Sequence, residues 1–413
     1  VTIPRIDADR LAARLHALAA FSTSQVPAVT RVVFTEQDRQ ARAWFHACCE
    51  DDGLTVRVDA VGNTFARWMG ADPSLPAVAT GSHIDAIPNA GMFDGTVGVL
   101  GALEALSALR ATGVVPKRSL EVVLFTSEEP TRFGIGCLGS RLMAGGLDAE
   151  AGARLRDRDG VTLDEARQAA GFTGDLASVA LEPNHYAAFV ELHIEQGPLL
   201  EQRHVPLGVV TAIAAPASLR VTIDGEGGHA GAVLMPDRRD AFLAAAEVAL
   251  AVEAAALATG AIDTVGTTGV CHVFPGAVNS VPSRCTLEID VRDIDQARRD
   301  AVLARIADAC AEIAARRRVA IETAVVNADP PAACDPAVVD ALTASCEALG
   351  LAHDRMISRA YHDALFMSRV APTAMLFIPC RGGVSHRPDE YASSEDIARG
   401  AQVLALTLAR LAG

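Results

Sequence analysis

GSHIDAIPNAGMFDG, residues 81–95, decides how the chain is read. It continues AVATGS (77–82), a run of small and apolar residues the length of a buried strand. It leads into TVGVLGALEALSALRA (96–111), whose apolar residues recur at helical intervals. A buried strand, a polar loop and a helix in succession build an α/β sheet covered by helices. In such sheets ligands gather in loops at the carboxyl ends of the strands. His83, Asp85 and Asp94 lie in that loop. Imidazole and carboxylate together favour zinc, manganese or cobalt over magnesium or calcium. Asp85, two residues after His83, is spaced to hold the second imidazole nitrogen. A polar turn with an aspartate capping the next helix would use the same residues, and the loop alone supports either reading.

Three further strand ends weigh on the choice. SLEVVLFT (119–126) runs into TSEEPTRFG (126–134), so Glu128 and Glu129 terminate an apolar strand. AAFVELH (187–193) ends on His193, within ELHIEQGP (191–198). PTAMLFIP (372–379) precedes VSHRPDE (384–390), which carries His386. Taken singly, these are a solvated glutamate pair, a strand-end histidine and a surface loop. Taken together, four strand ends deliver His83, Asp94, Glu129, His193 and His386, with Glu128 to spare. A carboxylate bridging two metals, with histidine and carboxylate completing each, is a hydrolytic design. Of two neighbouring glutamates, one can bind metal while the other takes a proton from metal-bound water.

The stretch 213–327 has a different rhythm. An alternating strand, SLRVTIDGE (218–226), is followed by an Ala-rich helix (238–259) and two β-rich runs (263–273 and 283–291). A second helix (293–318) and the strand VAIETAVVN (319–327) close it. That order, βαββαβ, is ferredoxin-like. The expected fold is therefore a central mixed sheet flanked by helices, residues 1–212 and 328–413, with an inserted ferredoxin-like unit at 213–327.

Composition bounds the function classes. A chain of 413 residues is comfortable as two domains. A net charge of −15 argues against nucleic acid and anionic membrane surfaces, which recruit basic faces. No stretch is apolar enough for a membrane span. Nine cysteines, an odd number without a CxxC pair, point to free thiols and to neither disulfides nor a cysteine zinc site. The opening segment VTIPRIDADRLAARLHALAAF carries charges at helical intervals and reads as a surface helix, not a signal peptide. The expected compartment is the cytoplasm.

GSHIDAIPNAGMFDG, TSEEP, LHIEQGP and the late Ser385-His386 resemble the aminoacylase/carboxypeptidase-type dinuclear metallohydrolases, and more narrowly their hydantoinase/carbamoylase branch. The resemblance covers nearly the whole chain. It implies two divalent ions per subunit, with manganese ahead of zinc. His83 and His193 would hold one ion, Glu129 and His386 the other, and Asp94 would bridge. It implies Glu128 as the base that deprotonates a bridging water and then protonates the departing nitrogen, with Asp85 orienting His83. The inserted unit would serve as lid and dimerisation domain. Its turn GEGGHAGAVLMPDRRDA (225–241) supplies His229 as an oxyanion donor acting from the partner of a homodimer. Asn279, Arg292, Gln196, Tyr361 and His362 would contact the substrate, Arg292 by gripping a carboxylate in bidentate fashion. Read without the resemblance, His229 is a turn histidine and Arg292 a surface ion pair.

Within the branch, allantoate- and carbamoyl-amino-acid-cleaving members read close to NHAGTTPM at the His229 turn and place glycine before the later HDA. This chain has GHAGAVLM (228–235) and AYHDALF, with Tyr361 before His362. Both features resemble members that cleave ureidoglycolate, which becomes the expected substrate: a small ureido compound with a carboxylate. Allantoate or an N-carbamoyl-L-amino acid is the alternative. A catalytically inactive binding or scaffold homologue is a remote one, since all five ligands and Glu128 are present.

Overall fold

The structure, a computed structural model, describes residues 3–413. The chain divides into two compact units. The first comprises residues up to Thr211, Cys334–Ser358 and His362–Gly413. The second comprises Ala212–Ala333 and three residues from much later, Arg359–Tyr361. That late return has a physical reason. Arg359 pairs with Asp263 at 2.5 Å, and the Tyr361 hydroxyl donates to Asp329 at 3.3 Å.

The first unit is a mixed sheet flanked by helices. Across it run Gly208–Ile213, Thr373–Ile378, Ala188–Ile194, Val78–His83, Leu120–Phe125, Thr64–Trp68 and Thr55–Val58. The four strands from Thr373–Ile378 to Leu120–Phe125 are mutually parallel, and the outer pairings are antiparallel. All four are buried along their whole length, which explains why they read as continuous apolar runs and not as alternating ones. Thr80 lies opposite Val190, so three residues further on His83 falls beside His193. Their rings stack at 6.1 Å. Register alone thus brings two imidazoles from distant parts of the chain together.

Small residues let the covering helices come close. The helix Thr96–Ala111 packs on Val78–His83 and Ala188–Ile194, and Ser394–Leu411 packs on it, on Ala188–Ile194 and on Thr373–Ile378. A Cβ at Gly98 would stand 2.4 Å from the Leu192 carbonyl oxygen and 2.7 Å from Ser82 Cβ. Gly400 meets Ile378 and Leu192 in the same way. This is how a chain with 4% aromatics closes its core.

In the second unit the strands lie in the order Val265–Phe274, Arg284–Asp293, Ala215–Asp224, Ala320–Ala328, with every neighbour antiparallel. The helices Ala241–Leu257 and Gln296–Arg317 complete βαββαβ. Asp240 and Asp295 cap them, each accepting backbone N–H bonds from the first turn. Along Arg284–Asp293 burial alternates, so Cys285, Leu287, Ile289 and Val291 face a core shared with Val248, Val252, Val302 and Ile306. A two-residue strand, Gly228–His229, pairs with Ser280–Val281 where the sequence suggests only a turn.

Among the described residues no helix is long and apolar enough to cross a membrane. All nine cysteines are free thiols.

Gly98→Ala should cost about 1–3 kcal/mol through overpacking, read as a lowered urea midpoint with unchanged m-value. A midpoint equal to wild type would show that the helix can ride outward from the sheet.

Candidate metal centre

The four parallel strands end side by side, and their carboxyl ends carry the chemistry. His83 is the last residue of its strand, His193 the penultimate of its own, and Glu128 and Glu129 follow Leu120–Phe125. His386 comes after Thr373–Ile378 and a short 3₁₀ turn. Asp94 sits before Thr96–Ala111 and faces them all. Its Oδ1 lies 3.2 Å from His193 Nε2 and 3.7 Å from His83 Nε2. Its Oδ2 lies 3.1 Å from His386 Nε2, which is 3.3 Å from Glu129 Oε1. Two trios follow, His83–Asp94–His193 and Asp94–Glu129–His386, each with its ligand atoms within 4.8 Å of one another.

The donor chemistry fits divalent ions. His83 Nδ1 faces the Asp85 carbonyl at 3.0 Å, and His193 Nδ1 faces the Ile194 carbonyl at 2.9 Å. A ring nitrogen facing a carbonyl carries the proton, so each Nε2 presents a lone pair. Both Nε2 atoms face the anionic Asp94 Oδ1, and His193 Nε2 also accepts the Gly95 N–H at 3.1 Å. The imidazole–carboxylate gaps of 3.1 to 3.7 Å suit groups that would share an ion at ligand distances of about 2.1 Å.

Electrostatics tell the same story in protons. Burial opposes ionisation of Asp94, yet bonds from His193, His386 and His83 hold its carboxyl well below the usual range. Asp94 and Glu129 push the His386 imidazolium up to about 11. Burial lowers His83, but Asp94, Glu128 and Asp85 outweigh it and raise it well above an ordinary histidine. The site demands positive charge, as protons or as metal ions.

The sequence expectation that the Asp85 carboxylate holds His83 Nδ1 is corrected. The carboxylate stands 3.7 Å from that nitrogen, and the backbone carbonyl of Asp85 takes it instead. The carboxylate accepts the backbone N–H groups of Glu128 and Glu129, at 3.2 and 3.0 Å. Asp85 therefore orients His83 with its main chain and the two glutamates with its side chain. Arg31, fully buried, secures the carbonyl between them. Its Nε donates to Ile84 O at 2.6 Å, and its Nη1 donates to Leu18 O and Phe21 O, both at 2.9 Å.

Glu128 Oε2 lies 3.7 Å from His83 Nε2. Burial, with Glu129, Asp363 and Asp94 nearby, holds its carboxyl well above the usual range, as suits a group that carries a proton. Gln196 touches the centre: its Nε2 donates to Asp94 Oδ2 at 2.9 Å. His362 is buried against His193, with ring centroids 4.5 Å apart, and its Nε2 meets Ser358 Oγ at 3.0 Å. Its donors also group with Glu191 and His193. Glu191, however, is occupied by Ser82 Oγ at 2.7 Å and the Ala364 N–H at 2.9 Å.

The remaining expected residues lie in the second unit. His229 is exposed, and its Nδ1 accepts the Gly231 N–H at 3.1 Å, which leaves Nε2 as a donor. Asn279 is tied to the same corner, its carbonyl accepting the Ala230 N–H at 2.9 Å. Arg292 Nε donates to Asp290 at 2.7 Å, so part of its fork is already in use. Tyr361 is engaged with Asp329.

Sequence reasoning missed Glu390. Its buried carboxylate accepts the N–H groups of Phe93 and Asp94, at 2.9 and 3.0 Å, and the Ser385 hydroxyl at 2.9 Å. Burial and the nearby Asp94 push it up to about 7. A Cβ on Gly91 would stand 2.4 Å from Glu390 Cβ, so the glycine makes room for the clamp. Its place four residues after His386 was the available signal.

Imidazoles and carboxylates converging on one shared carboxylate, at the ends of parallel strands, form a donor set of the kind that holds divalent ions in hydrolytic α/β proteins. The chain belongs to the Peptidase family M20/M25/M40, which it matches over residues 79–410, and within it to the hydantoinase/carbamoylase branch. It is 54% identical over 413 residues to a ureidoglycolate hydrolase of Arabidopsis thaliana, covering 98% of this chain and 87% of the relative. It is 40% identical to an N-carbamoyl-L-amino acid amidohydrolase of Geobacillus stearothermophilus, covering 98% and 99% of the two chains. The crystal structure of AtUAH in complex with (S)-hydroxyglycine superposes with a TM-score of 0.92 at 53% identity, covering 100% of this chain and 99% of the other. The chain is an amidohydrolase.

The proton demand of the site predicts a pH signature. His386 is raised in the folded state, so its contribution to stability is complete below about pH 6.5 and fades as the pH climbs toward about 11. A divalent ion replaces those protons and competes best where they are scarce. The gap in Tm between manganese-loaded and EDTA-treated protein should widen from pH 6 to 8.5. A gap that is constant or narrows would contradict the assignment.

Proposed function

We propose that the chain hydrolyses the ureido C–N bond of ureidoglycolate, releasing ammonia and carbon dioxide and leaving hydroxyglycine, which decays to glyoxylate. The observation that carries the chemistry is the convergence on Asp94 beside Glu128. The substrate rests on the 54% identity to the Arabidopsis ureidoglycolate hydrolase and on the (S)-hydroxyglycine found in the AtUAH structure.

His83, His193 and Asp94 would hold one divalent ion, and Asp94, Glu129 and His386 a second, manganese ahead of zinc. When bound, such ions supply Lewis-acid polarisation of the carbonyl and lower the pKa of water. The protein's own groups do the rest. Glu128 Oε2, facing the centre, takes a proton from the attacking water. The same carboxyl returns it to the departing nitrogen, so each turnover leaves Glu128 as it began. Asp85 holds the Glu128 and Glu129 backbone, which fixes where that proton is exchanged. His229, with its Nε2–H tautomer, would donate to the developing oxyanion. Arg292 would exchange Asp290 for the substrate carboxylate, with Asn279, Gln196, Tyr361 and His362 completing the substrate contacts.

A homodimer is part of this reading. On the helix Ala241–Leu257, Leu243, Leu250 and Leu257 are exposed at intervals of seven residues, a stripe on one face. Beside it, Val265–Phe274 is an edge strand with one paired side. An apolar stripe next to an open strand edge suits a second copy of the chain.

Ammonia release from ureidoglycolate, allantoate and an N-carbamoyl-L-amino acid, offered side by side to manganese-loaded protein, tests the proposal. The expected result is a clear preference for ureidoglycolate, reduced roughly 10²–10⁴-fold in Glu128→Ala. Preference for another substrate would keep the centre and sink the reading of Tyr361 and the His229 turn. Mixing Glu128→Ala with His229→Ala subunits tests trans action. Recovered activity is expected, since one hybrid site would be intact, and no recovery would place His229 in its own subunit's site.

A further inference from the structure

We infer that Cys137 is a positioning residue for Glu128, its thiol anchoring one carboxylate oxygen and so fixing the plane in which the other faces the centre. The inference rests on the reading of Glu128 as the proton carrier.

Cys137 Sγ donates to Glu128 Oε1 at 3.3 Å, and both side chains are buried. The other oxygen, Oε2, is the one that faces His83 Nε2. The terminal torsion of a glutamate is broad, so the plane of its carboxylate wanders unless a partner holds one oxygen. Here a donor on one side does so. Burial holds the thiol well above its ordinary value, so the sulfur keeps its proton and stays a donor.

The backbone shows that the placement is enforced. Three successive N–H groups, of Cys137, Leu138 and Gly139, donate to the carbonyls of Glu128, Ser127 and Thr126 at 2.7, 2.8 and 2.8 Å. The two segments lie side by side, and Cys137 is the residue level with Glu128. Cys137 also has φ +54, in the left-handed region that favours glycine or asparagine. The same loop uses glycine where it needs such a turn, at Gly134 with φ +72. A side chain kept at a strained position needs a reason in what the side chain does. A cysteine serving as a small apolar filler would also be buried, but it would not need a left-handed backbone or a carboxylate partner.

The test is steady-state kinetics on metal-loaded Cys137→Ser, Cys137→Ala and Cys137→Gly, each alone and with Glu128→Gln. Serine keeps a donor and should keep kcat within about threefold. Alanine and glycine should lower kcat roughly tenfold, the scale of one hydrogen bond to a charged group. KM, metal content and Tm should stay near wild type, with glycine also relieving the backbone. In the Glu128→Gln background Cys137→Ala should cost nothing further. Wild-type kcat in the alanine and glycine variants would overturn the inference, as would a loss that tracks Tm or metal content, or one that adds to Glu128→Gln. Inactive Glu128→Gln beside unimpaired Cys137→Ala would sink this inference alone. Active Glu128→Gln would sink the proton-carrier reading and this inference with it.

Discussion

Asp94 is a carboxylate taken out of water and surrounded by nitrogen. An anion at such depth is costly unless every lone pair is answered. Oδ1 faces His83 and His193, while Oδ2 faces His386 and receives the Gln196 amide. Its own backbone N–H is held by Glu390. Gly95, next in the chain, lacks the Cβ that would stand 2.4 Å from His83 Nε2. The sheet serves this one group: its parallel register sets His83 beside His193, and the strands on either side add Glu129 and His386.

Much of this was legible from the letters. Buried parallel strands are apolar throughout, so four of them stand out as runs ending in ligand-type residues. The βαββαβ order of the second unit could be read because its first strand alternates and its long helices are set off from β-rich runs. What could not be read depends on the third dimension. The spacing of His83 and Asp85 suggests an imidazole–carboxylate pair, but a two-residue step also brings a backbone carbonyl within reach, and the amides of Glu128 and Glu129 claim the carboxylate. Glu390 looks like one more charge in a polar loop until the chain folds it onto Phe93 and Asp94. Nothing local marks Arg31 or Cys137, whose partners are 53 and 9 residues away.

Several residues of the centre share a backbone peculiarity. Ser127, Cys137, Gln196 and His386 all have φ between +54 and +59. None is glycine, and each lies beside or within the ligand loops. Strain of this kind persists only where the surroundings over-determine it. Here they do so through paired backbone bonds, buried carboxylates and the tightly packed helices. A rigid frame spends stability on the exact aim of a few side chains, which is the usual relation between a catalytic loop and the scaffold beneath it.

Arg31 gives the arrangement a dependence on the start of the chain. Its guanidinium joins the carbonyls of Leu18 and Phe21, at the close of the first helix, to the carbonyl of Ile84, which lies between His83 and Asp85. The first helix is remote in sequence from every ligand, yet it receives one end of a brace whose other end steadies the first of them. Proteolytic trimming of that arm would strand a buried guanidinium and loosen the Ile84 carbonyl, blunting the centre without touching a single ligand. During synthesis the arm precedes residue 84 and gains that partner only when it has followed. The brace is therefore complete only once both segments have left the ribosome.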